Sequence, residues 1–347
     1  MADNASAPDQ NTASDPRYDV IAIGNAIVDI IASCSDEDIA ELELNRGGMT
    51  LVDAEGADRL YDAMGPATEK SGGSAANTLA GLAQLDIQCA FIGQVADDQF
   101  GHVFAHDIRA AGIDFDTPMR ATDGTDASPP TGRCLIFVTP DGERTMNTFL
   151  GAGQFLPAEA LDEELIASAA ILYLEGYLWD PEEPRRAMRR AIEVARAAGR
   201  KVAFTASESF VIDRHGDDFR AMIDEGLIDI LFVNESELAT LTGEADFDAG
   251  FDQVAPKVPV LVATRGPDGA VASAHGERAS VAAEPVEKVV DTTGAGDQFA
   301  AGFLAGHARG EALETCLRRG AIAAAEVISH YGPRPETDMR ALMKDRL

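Results

Sequence analysis

The residues best suited to chemistry lie in one short segment, Asp291-Thr292-Thr293-Gly294-Ala295-Gly296-Asp297. An alternating run from Val286 to Val290 precedes it and predicts a strand, and an apolar-rich run from about Gln298 to His307 predicts a helix. The glycine turn between them would place free backbone N–H groups at the start of that helix, where the helix dipole favours an anion. These groups belong to Gly294, Ala295 and Gly296. The segment therefore predicts a binding site for a phosphate group.

Asp297 gives the same segment a second chemical property. A carboxylate does not help to bind phosphate, but it can accept the proton of a hydroxyl group that attacks the phosphate. Acidic residues at helix starts also act as caps, so capping of the helix is the alternative. The chemical interpretation is an anion hole with a base beside it.

The composition favours a globular protein that acts on small molecules. The chain has 347 residues, of which 46% are hydrophobic, and can bury a large core. With 28 Lys and Arg against 59 Asp and Glu, its formal charge of −31 repels nucleic acid and anionic membranes over most of the surface. No apolar run approaches the ~20 residues of a membrane span. We therefore expect a small-molecule substrate and neither a nucleic-acid nor a membrane partner.

The cysteines and the amino-terminal residues indicate a reducing compartment. Residues 1–17 are polar and lack the basic start and apolar core of a secretion signal. We expect them to form a disordered tail, and we expect the protein to be cytoplasmic. The cysteines are far apart and lack CxxC spacing, which suggests neither a disulfide framework nor a zinc site. They are Cys34, Cys89, Cys134 and Cys316.

Short apolar runs alternate with helical patterns along the chain. Pro184–Gly199 is the clearest helix, because apolar residues recur in a charged background and a glycine ends it. Such alternation predicts a mostly parallel sheet with helices on both faces, and ligands bind at the carboxyl ends of its strands. The predicted strands are Val20–Ile23, Ala90–Ile92, Ile171–Leu174, Val202–Ala206, Ile228–Val233 and Val260–Ala263.

One region departs from this alternation. Arg133–Thr139 and Arg144–Leu150 flank the turn sequence Pro140–Glu143 without room for a helix, which predicts a β-hairpin. Together with Gly47–Val52, the hairpin would form a small sheet that closes over a substrate, drawn from about residues 33–56 and 118–152. An edge extension of the main sheet is the alternative.

Two glycine motifs carry a resemblance to a known family. The chain contains neither G-x-x-x-x-G-K-[ST] nor a G-x-G-x-x-G that follows a strand. Instead, Asp291–Asp297 resembles the carboxyl-terminal signature of the ribokinase family, also called the PfkB carbohydrate kinase family. Its amino-terminal signature resembles Gly72-Gly73-Ser74-Ala75-Ala76-Asn77, followed in the usual order by Phe91-Ile92-Gly93, Asp97 and Gly101.

This resemblance spans about residues 18–335 and implies both a fold and an activity. The implied fold is a ribokinase-like α/β/α sandwich of three layers, with a mostly parallel central sheet and a small β-sheet lid. Residues 336–347 would form a carboxyl-terminal helix or tail. The implied activity is phosphoryl transfer from ATP to a hydroxyl group, with Asp297 as the base and the Gly294–Gly296 amides as the anion hole.

The resemblance also implies residues that bind the acceptor. The aspartate Asp29 would hold sugar hydroxyls, because its two oxygens suit a vicinal diol. A buried turn acid is the alternative. Two glycines would let the backbone approach the sugar, and an asparagine offers it both a donor and an acceptor. The implied acceptor residues are Asn25, Asp29, Gly72, Gly73 and Asn77.

A further set is implied for ATP and its metal. The Asn-x-x-Glu element Asn234–Glu237 resembles the one that places Mg²⁺, largely through water, although it is also a capping pattern. A helix from about Thr315 to Ser329 would form one wall of the adenine site. Some members of the family use potassium near the positions of Asp291 and Thr293, so K⁺ is a further expectation. The implied residues are Asn234, Thr264, Gly266, Gly269, Thr293 and His330 for the nucleotide and Glu237 for the metal.

Arg144 lies on the predicted lid hairpin. It corresponds to a basic residue that reaches the transferring phosphate in some members of the family. Closure of the lid would then bring a positive charge to the site only when the substrate is bound. An ordinary surface arginine is the alternative.

Three local features favour a nucleoside as the acceptor. Gly24–Ile30 resembles the opening motif of the adenosine kinases in this family, and Thr205–Phe210 resembles their Ser-x-x-Phe segment. Tyr177 would stack on a purine, with a core aromatic as the alternative. Phe149 departs from the polar residue usual in that subgroup. Apolar residues around the predicted lid also suit a free sugar poorly; they are Met49, Met146, Phe149 and Tyr177.

The sequence therefore predicts a kinase that uses ATP and Mg²⁺ to phosphorylate the 5′-hydroxyl of adenosine. A sugar kinase of the same family acting on ribose, fructose or another sugar is the alternative. A non-catalytic nucleoside or sugar sensor is the rival from another class, and a dinucleotide-dependent oxidoreductase lacks its fingerprint. Monomer and homodimer both remain open, since an exposed lid sheet can pair with a neighbour.

Overall fold

Fourteen strands in two sheets form the framework of the computed structural model, which describes residues 15–125 and 127–347. The number of strands refers to these described residues. In chain order they are Tyr18–Ile23 (β1), Ile27–Ser33 (β2), Met49–Leu51 (β3), Ala67–Gly72 (β4), Cys89–Ile92 (β5), Ile113–Asp114 (β6), Thr131–Val138 (β7), Arg144–Gly151 (β8), Ala169–Glu175 (β9), Lys201–Thr205 (β10), Ile230–Asn234 (β11), Val260–Thr264 (β12), Ala270–Ala274 (β13) and Glu277–Val281 (β14).

The larger sheet has nine strands in the order β14-β13-β12-β11-β10-β9-β1-β5-β6. The strands from β12 to β6 run parallel, and β13 and β14 form an antiparallel edge. The inner strands are apolar on both faces because helices cover both faces. Every strand that the apolar runs predict lies in this sheet, so the predicted parallel architecture is confirmed.

Helices pack on the two faces of the larger sheet and bury a separate apolar core on each face. One face is covered by α3, α4, α10, α11 and α12, and the other by α5 to α9. In chain order the helices are Asp36–Glu41 (α1), Ala54–Ala63 (α2), Ser74–Gln84 (α3), Gln99–Ala110 (α4), Glu163–Ala167 (α5), Glu182–Ala197 (α6), Ser209–Asp224 (α7), Glu235–Thr242 (α8), Phe247–Val254 (α9), Ala295–Ala308 (α10), Leu313–Val327 (α11) and Met339–Arg346 (α12). No described helix is both long and apolar enough to span a membrane.

The smaller sheet has five strands in the order β3-β8-β7-β2-β4. The predicted hairpin is present as the antiparallel pair β7–β8, and β3 pairs in parallel with β8. The sheet also contains β2 and β4, so it draws on more of the chain than the two predicted segments. Only three residues separate β1 from β2, and this short link brings the small sheet directly over the carboxyl ends of the main strands.

Two details differ from the sequence-based expectations. The segment Val286–Val290 is irregular rather than a strand, because it finds no ladder partner among the described strands and exposes 51% of Val289. Instead, the Val290 N–H bonds to the Ile328 carbonyl after α11, at 2.8 Å. Phe149 faces away from the lid's inner surface and packs with α1 and α2, against residues such as Ile39 and Leu60. The expected disordered tail falls almost wholly in residues 1–14, outside the described part.

Candidate active site

A cleft of about 670 Å³ lies between the small sheet and the carboxyl ends of β9 to β12. Its floor is the start of α10, and its roof is formed by side chains of β2, β3, β7 and β8. Most of the residues expected from the sequence line this cleft, although they come from six separate parts of the chain. They are Asn25, Asp29, Gly73, Asn77, Tyr177, Asn234, Glu237, Thr264, Thr293, Gly294, Ala295, Gly296 and Asp297.

The predicted phosphate turn is present at the start of α10. Gly294 caps the helix with φ of +77°, and a Cβ there would lie 2.6 Å from Pro333. Only glycine adopts this conformation at low cost. The Ala295 N–H is not free, since it bonds to the Thr292 carbonyl at 3.2 Å. The N–H groups of Gly294 and Gly296 have no partner among the described residues, and they remain available to an anion.

Asp297 is held by the neighbouring helix α3 rather than by its own helix. Its carboxylate accepts a hydrogen bond of 2.6 Å from the Ser74 hydroxyl and one of 3.4 Å from the Asn77 amide. Burial raises the pKa of Asp297 to about 6, and the negative charge of Asp29 adds to the rise. Near neutral pH the group is therefore an ionised carboxylate of increased basicity, which suits a general base better than a helix cap.

Asp29 lies in the middle of β2 and is 8% exposed. Burial raises its pKa to about 6, although the positive charges of Arg334 and Arg144 oppose the rise. In the β2–β4 ladder Asp29 is opposite Lys70, and Gly72 is two residues further along β4. A Cβ at Gly72 would lie 2.5 Å from the Asp29 carboxylate. Gly72 does not line the cleft, so it makes room for Asp29 rather than for a ligand. Gly73 has φ of +106°, and a Cβ there would also meet the Asn25 carbonyl oxygen at 2.1 Å, so this position requires glycine.

Glu175 is a site residue that sequence reasoning missed. It ends β9 at the bottom of the cleft and is fully buried. One oxygen accepts the backbone and side-chain N–H groups of Asn25 at 2.7 and 2.6 Å, and the other accepts the Ala75 N–H at 2.8 Å. Burial raises its pKa to about 7, although the three hydrogen bonds that it accepts lower the pKa. Glu175 fixes the Asn25 side chain so that its carbonyl oxygen remains for a ligand. The sequence signal that could have identified Glu175 is its position directly after the predicted apolar strand Ile171–Leu174.

Sequence reasoning also missed Arg334 and Asp107. They lie behind the wall of the cleft and bond to residues on the side proposed for the acceptor. Arg334 Nε donates to Asn77 Oδ1 at 3.1 Å, and Nη1 donates to Asp107 at 3.2 Å. The same Asp107 oxygen accepts the N–H and the hydroxyl of Ser71 at 2.8 and 2.6 Å. Arg334 lies in an irregular loop after α11, where no sequence pattern marks it.

Arg144 lies at the start of β8 and is buried against the phosphate turn. Its Nε lies 3.0 Å from an oxygen of Asp291, and each of the two side chains is 5% exposed. Asp291 also accepts the N–H groups of Thr293 and Gly332, at 3.0 and 2.9 Å. None of the guanidinium nitrogens makes a well-directed hydrogen bond to a described residue. The ion pair joins the small sheet to the turn, and contact of Arg144 with a transferring phosphate stays a prediction.

The residues expected around the nucleotide are only partly brought together. Tyr177 lines the cleft and packs against Phe210, with ring centroids 6.2 Å apart, and burial raises its pKa. Thr264 and Thr293 also face the cleft. Gly266 and Gly269 form a turn beyond the cleft lining. His330 does not line the cleft, because its ring lies 3.2 Å from the buried Glu326 carboxylate.

Comparison with known proteins identifies the family. Residues 50–339 match the model of the pfkB family carbohydrate kinases, which is more than half of the chain. The chain belongs to this family. A fructokinase of Klebsiella pneumoniae is 32% identical over 256 residues, which are 72% of this chain and 80% of that protein.

Two solved structures resemble this PfkB-family kinase over nearly its whole length. One is a probable sugar kinase from Rhizobium etli CFN 42, with a TM-score of 0.87 and 43% identity over 95% of this chain and 98% of that one. The other is an adenosine kinase from Sinorhizobium meliloti, with a TM-score of 0.86 and 44% identity over 95% and 99% of the two chains. They confirm the ribokinase-like fold. The chain is thus a phosphotransferase that acts on a hydroxyl group of a sugar or a nucleoside, with ATP as the donor of its family.

The acidic side of the cleft fits the Mg²⁺ that kinases of this family typically use. Glu237 forms a capping box with Asn234, in which both of its oxygens accept Asn234 N–H groups at 2.6 and 2.9 Å. Burial raises the pKa of Glu237 to about 7, and the charge of the neighbouring Glu208 contributes. A divalent cation would relieve the repulsion between these two carboxylates. Because both Glu237 oxygens are already engaged, contact with a hydrated Mg²⁺ through water suits this site best.

Proposed function

We propose that this kinase transfers the γ-phosphate of ATP to the 5′-hydroxyl of adenosine or a closely related purine nucleoside. The observation that carries the proposal is the division of the cleft between polar and apolar walls. Asp29, Asn25 and Asn77 would bind the ribose hydroxyls. The small sheet presents an apolar surface beside them that would bury a base, made of Ile27, Met49, Ile136, Met146 and Leu150. A free sugar would leave that surface without a partner.

The reaction uses the groups at the start of α10. The 5′-hydroxyl oxygen forms a bond to the γ-phosphorus while the bond from phosphorus to the ADP oxygen breaks, and the hydroxyl proton moves to the Asp297 carboxylate. The free N–H groups of Gly294 and Gly296 stabilise the charge on the transferring phosphoryl group. When bound, Mg²⁺ neutralises part of the phosphate charge on the side of Glu237.

A sugar is the second candidate acceptor. The chain is 32% identical to a fructokinase over 72% of its length. The same polar groups that would hold a ribose can also hold the hydroxyls of a free hexose. Asp297 and the phosphate turn would keep their roles, so the two candidates differ only in what fills the apolar part of the cleft.

The substrate is tested by ADP release from ATP and Mg²⁺ across adenosine, inosine, guanosine, ribose, fructose and fructose 6-phosphate. We expect turnover with adenosine, with kcat/KM for every sugar lower by about 10² or more, since the base adds buried apolar contacts worth several kcal/mol. A preference for fructose or ribose would contradict the nucleoside proposal while leaving the mechanism intact. No turnover on any of these acceptors would contradict both candidate acceptors and indicate a hydroxyl substrate outside this panel.

Potassium is a further part of the proposal. A monovalent cation near Asp291 and Thr293 would order the phosphate turn, but the Asp291 carboxylate already binds two N–H groups and Arg144. We therefore expect a rise in kcat of less than about tenfold when potassium chloride replaces tetramethylammonium chloride at equal ionic strength. Equal rates in the two salts would contradict a role for potassium.

A further inference from the structure

Arg334 occupies an unusual position just behind the acceptor wall. It connects α3 and α4 through its bonds to Asn77 and Asp107, and its side chain is 17% exposed. Its third nitrogen, Nη2, is buried and has no partner among the described residues. Arg334 does not line the cleft, whereas Asn77, Asp29 and Asp297 do. It therefore acts on a substrate only through these three side chains.

The bond to Asn77 sets which end of that amide faces the base. Arg334 Nε donates to Oδ1 of Asn77, so Nδ2 is left to donate towards Asp297, at 3.4 Å. The opposite orientation would place an N–H group against the guanidinium and an oxygen against the carboxylate, and both contacts would be repulsive. A single arginine thus fixes Asn77 as a donor on the side where the acceptor hydroxyl must lie.

The charge of Arg334 acts on both acidic groups of the acceptor site. It opposes the rise in the pKa of Asp29 and in the pKa of Asp297. Arg144 opposes the rise for Asp29 as well, but it is paired with Asp291. Two buried carboxylates in one cleft cannot easily be ionised together without a shared cation. Other titratable groups that face the pair are Glu175, Tyr173 and Tyr177 beside Asp297, and Cys134 beside Asp29. Asp107 faces Arg334 itself.

We propose that Arg334 is a positioning residue for phosphoryl transfer, which orients the Asn77 amide and supplies the shared countercharge that keeps Asp29 and Asp297 ionised together. This proposal rests on the role of Asp297 as the base. It does not depend on which acceptor is used, because Arg334 acts only through Asn77, Asp29 and Asp297, which line the cleft for either acceptor.

Arg334→Met and Arg334→Lys test the proposal, with Arg340→Met as the control. Arg340 lies six residues further along, where its exposed guanidinium pairs with Asp86 at 3.1 Å. The readouts are KM for adenosine, or for fructose if the panel selects it, KM for ATP, and the pH dependence of kcat/KM. For Arg334→Met we expect the acceptor KM to rise about tenfold and the ATP KM to change less than about twofold. We expect the acidic limb of the profile to move up by roughly one pH unit.

Arg334→Lys separates the two roles, because lysine keeps the charge but not the planar fork. We expect it to hold the acidic limb near the wild-type position while the acceptor KM still rises. The proposal is overturned if Arg334→Met has the same acceptor KM and the same pH profile of kcat/KM as Arg340→Met. It is also overturned if the KM values for acceptor and ATP rise equally while the acidic limb of the pH profile does not move. If Arg334→Met does not fold, the proposal is overturned when Arg334→Lys has the wild-type acceptor KM and the wild-type pH profile of kcat/KM. A fully active Asp297→Asn protein would remove the proposed base instead, which distinguishes the two failures.

Discussion

The Asp297→Asn protein is expected to lose about 10³ in kcat while keeping its fold and its affinity for ATP. The amide has nearly the same shape and can still accept the Ser74 hydrogen bond through its oxygen, but it cannot take up the proton of the attacking hydroxyl. Steady-state rates give the loss in kcat. Protection by ATP and Mg²⁺ against thermal unfolding shows whether donor binding is retained.

The pH dependence of the wild-type enzyme provides a second measurement of the same group. The pKa of Asp297 is raised to about 6, and a base acts only when it is deprotonated. The rate is therefore expected to be constant above this pH and to fall about tenfold per unit below it.

Asp338→Asn is the matched control for Asp297→Asn, because this exposed aspartate caps α12 and asparagine caps helices equally well. It should leave kcat and its pH dependence unchanged. If Asp297→Asn kept more than about a tenth of the wild-type kcat, Asp297 would not be the base.

Replacement of Gly294 by Ala is expected to lower kcat by about 10² and to destabilise the fold by roughly 2–4 kcal/mol. The residue has φ of +77°, and the new methyl group would lie 2.6 Å from Pro333. Relief of this overlap requires the turn to move, which displaces the two free N–H groups from the phosphate. Both effects are measurable, the first by steady-state kinetics and the second by urea unfolding.

Gly199→Ala separates steric overlap from backbone strain. Gly199 also has a positive φ, of +69°, but no atom lies within 4 Å of the position of its Cβ, and it is at the far end of α6. This variant should lose only about 1 kcal/mol of stability and no activity. If Gly294→Ala had no larger effect than Gly199→Ala on either measure, the close packing of the turn against Pro333 would not be needed for catalysis.

The non-catalytic sensor that was the rival interpretation of the sequence disagrees with the family of the chain and with the arrangement of the cleft. The base, the phosphate turn and the Asn234–Glu237 element all face one space. A protein that only bound nucleosides would have no need to hold a carboxylate of raised pKa beside two free N–H groups. The experiments on Asp297 and Gly294 address that distinction directly.

Local patterns predicted some elements well and others poorly, for physical reasons. Pro184–Gly199 was predicted to within two residues at each end, because amphipathic spacing reports directly on which face is buried. Val286–Val290 was wrongly predicted as a strand, because five alternating residues say nothing about a ladder partner. Phe149 was expected among the apolar residues around the lid that disfavour a free sugar, but in the structure it packs against α1 and α2, away from the cleft.

Sequence patterns did not identify the site residues whose hydrogen-bond partners lie far away in the chain. Glu175 binds Asn25, 150 positions earlier in the chain, and Arg334 binds Asn77, 257 positions earlier. Neither pair has a characteristic spacing. The ion pair of Arg144 with Asp291 has no sequence signal either, because it depends on the packing of the small sheet on the phosphate turn.

The sequence by itself determined the family, the parallel sheet and the identity of the phosphate turn. These depend on backbone conformations that residue types dictate locally: left-handed turns that need glycine, buried strands that need apolar runs, and helix starts that leave N–H groups free. Only the tertiary structure decided how the charges of the cleft are balanced and which walls face the acceptor. Those properties arise from contacts between segments far apart in the chain. A shift of one residue in strand register, or in the position of a loop residue, would give a side chain a different partner.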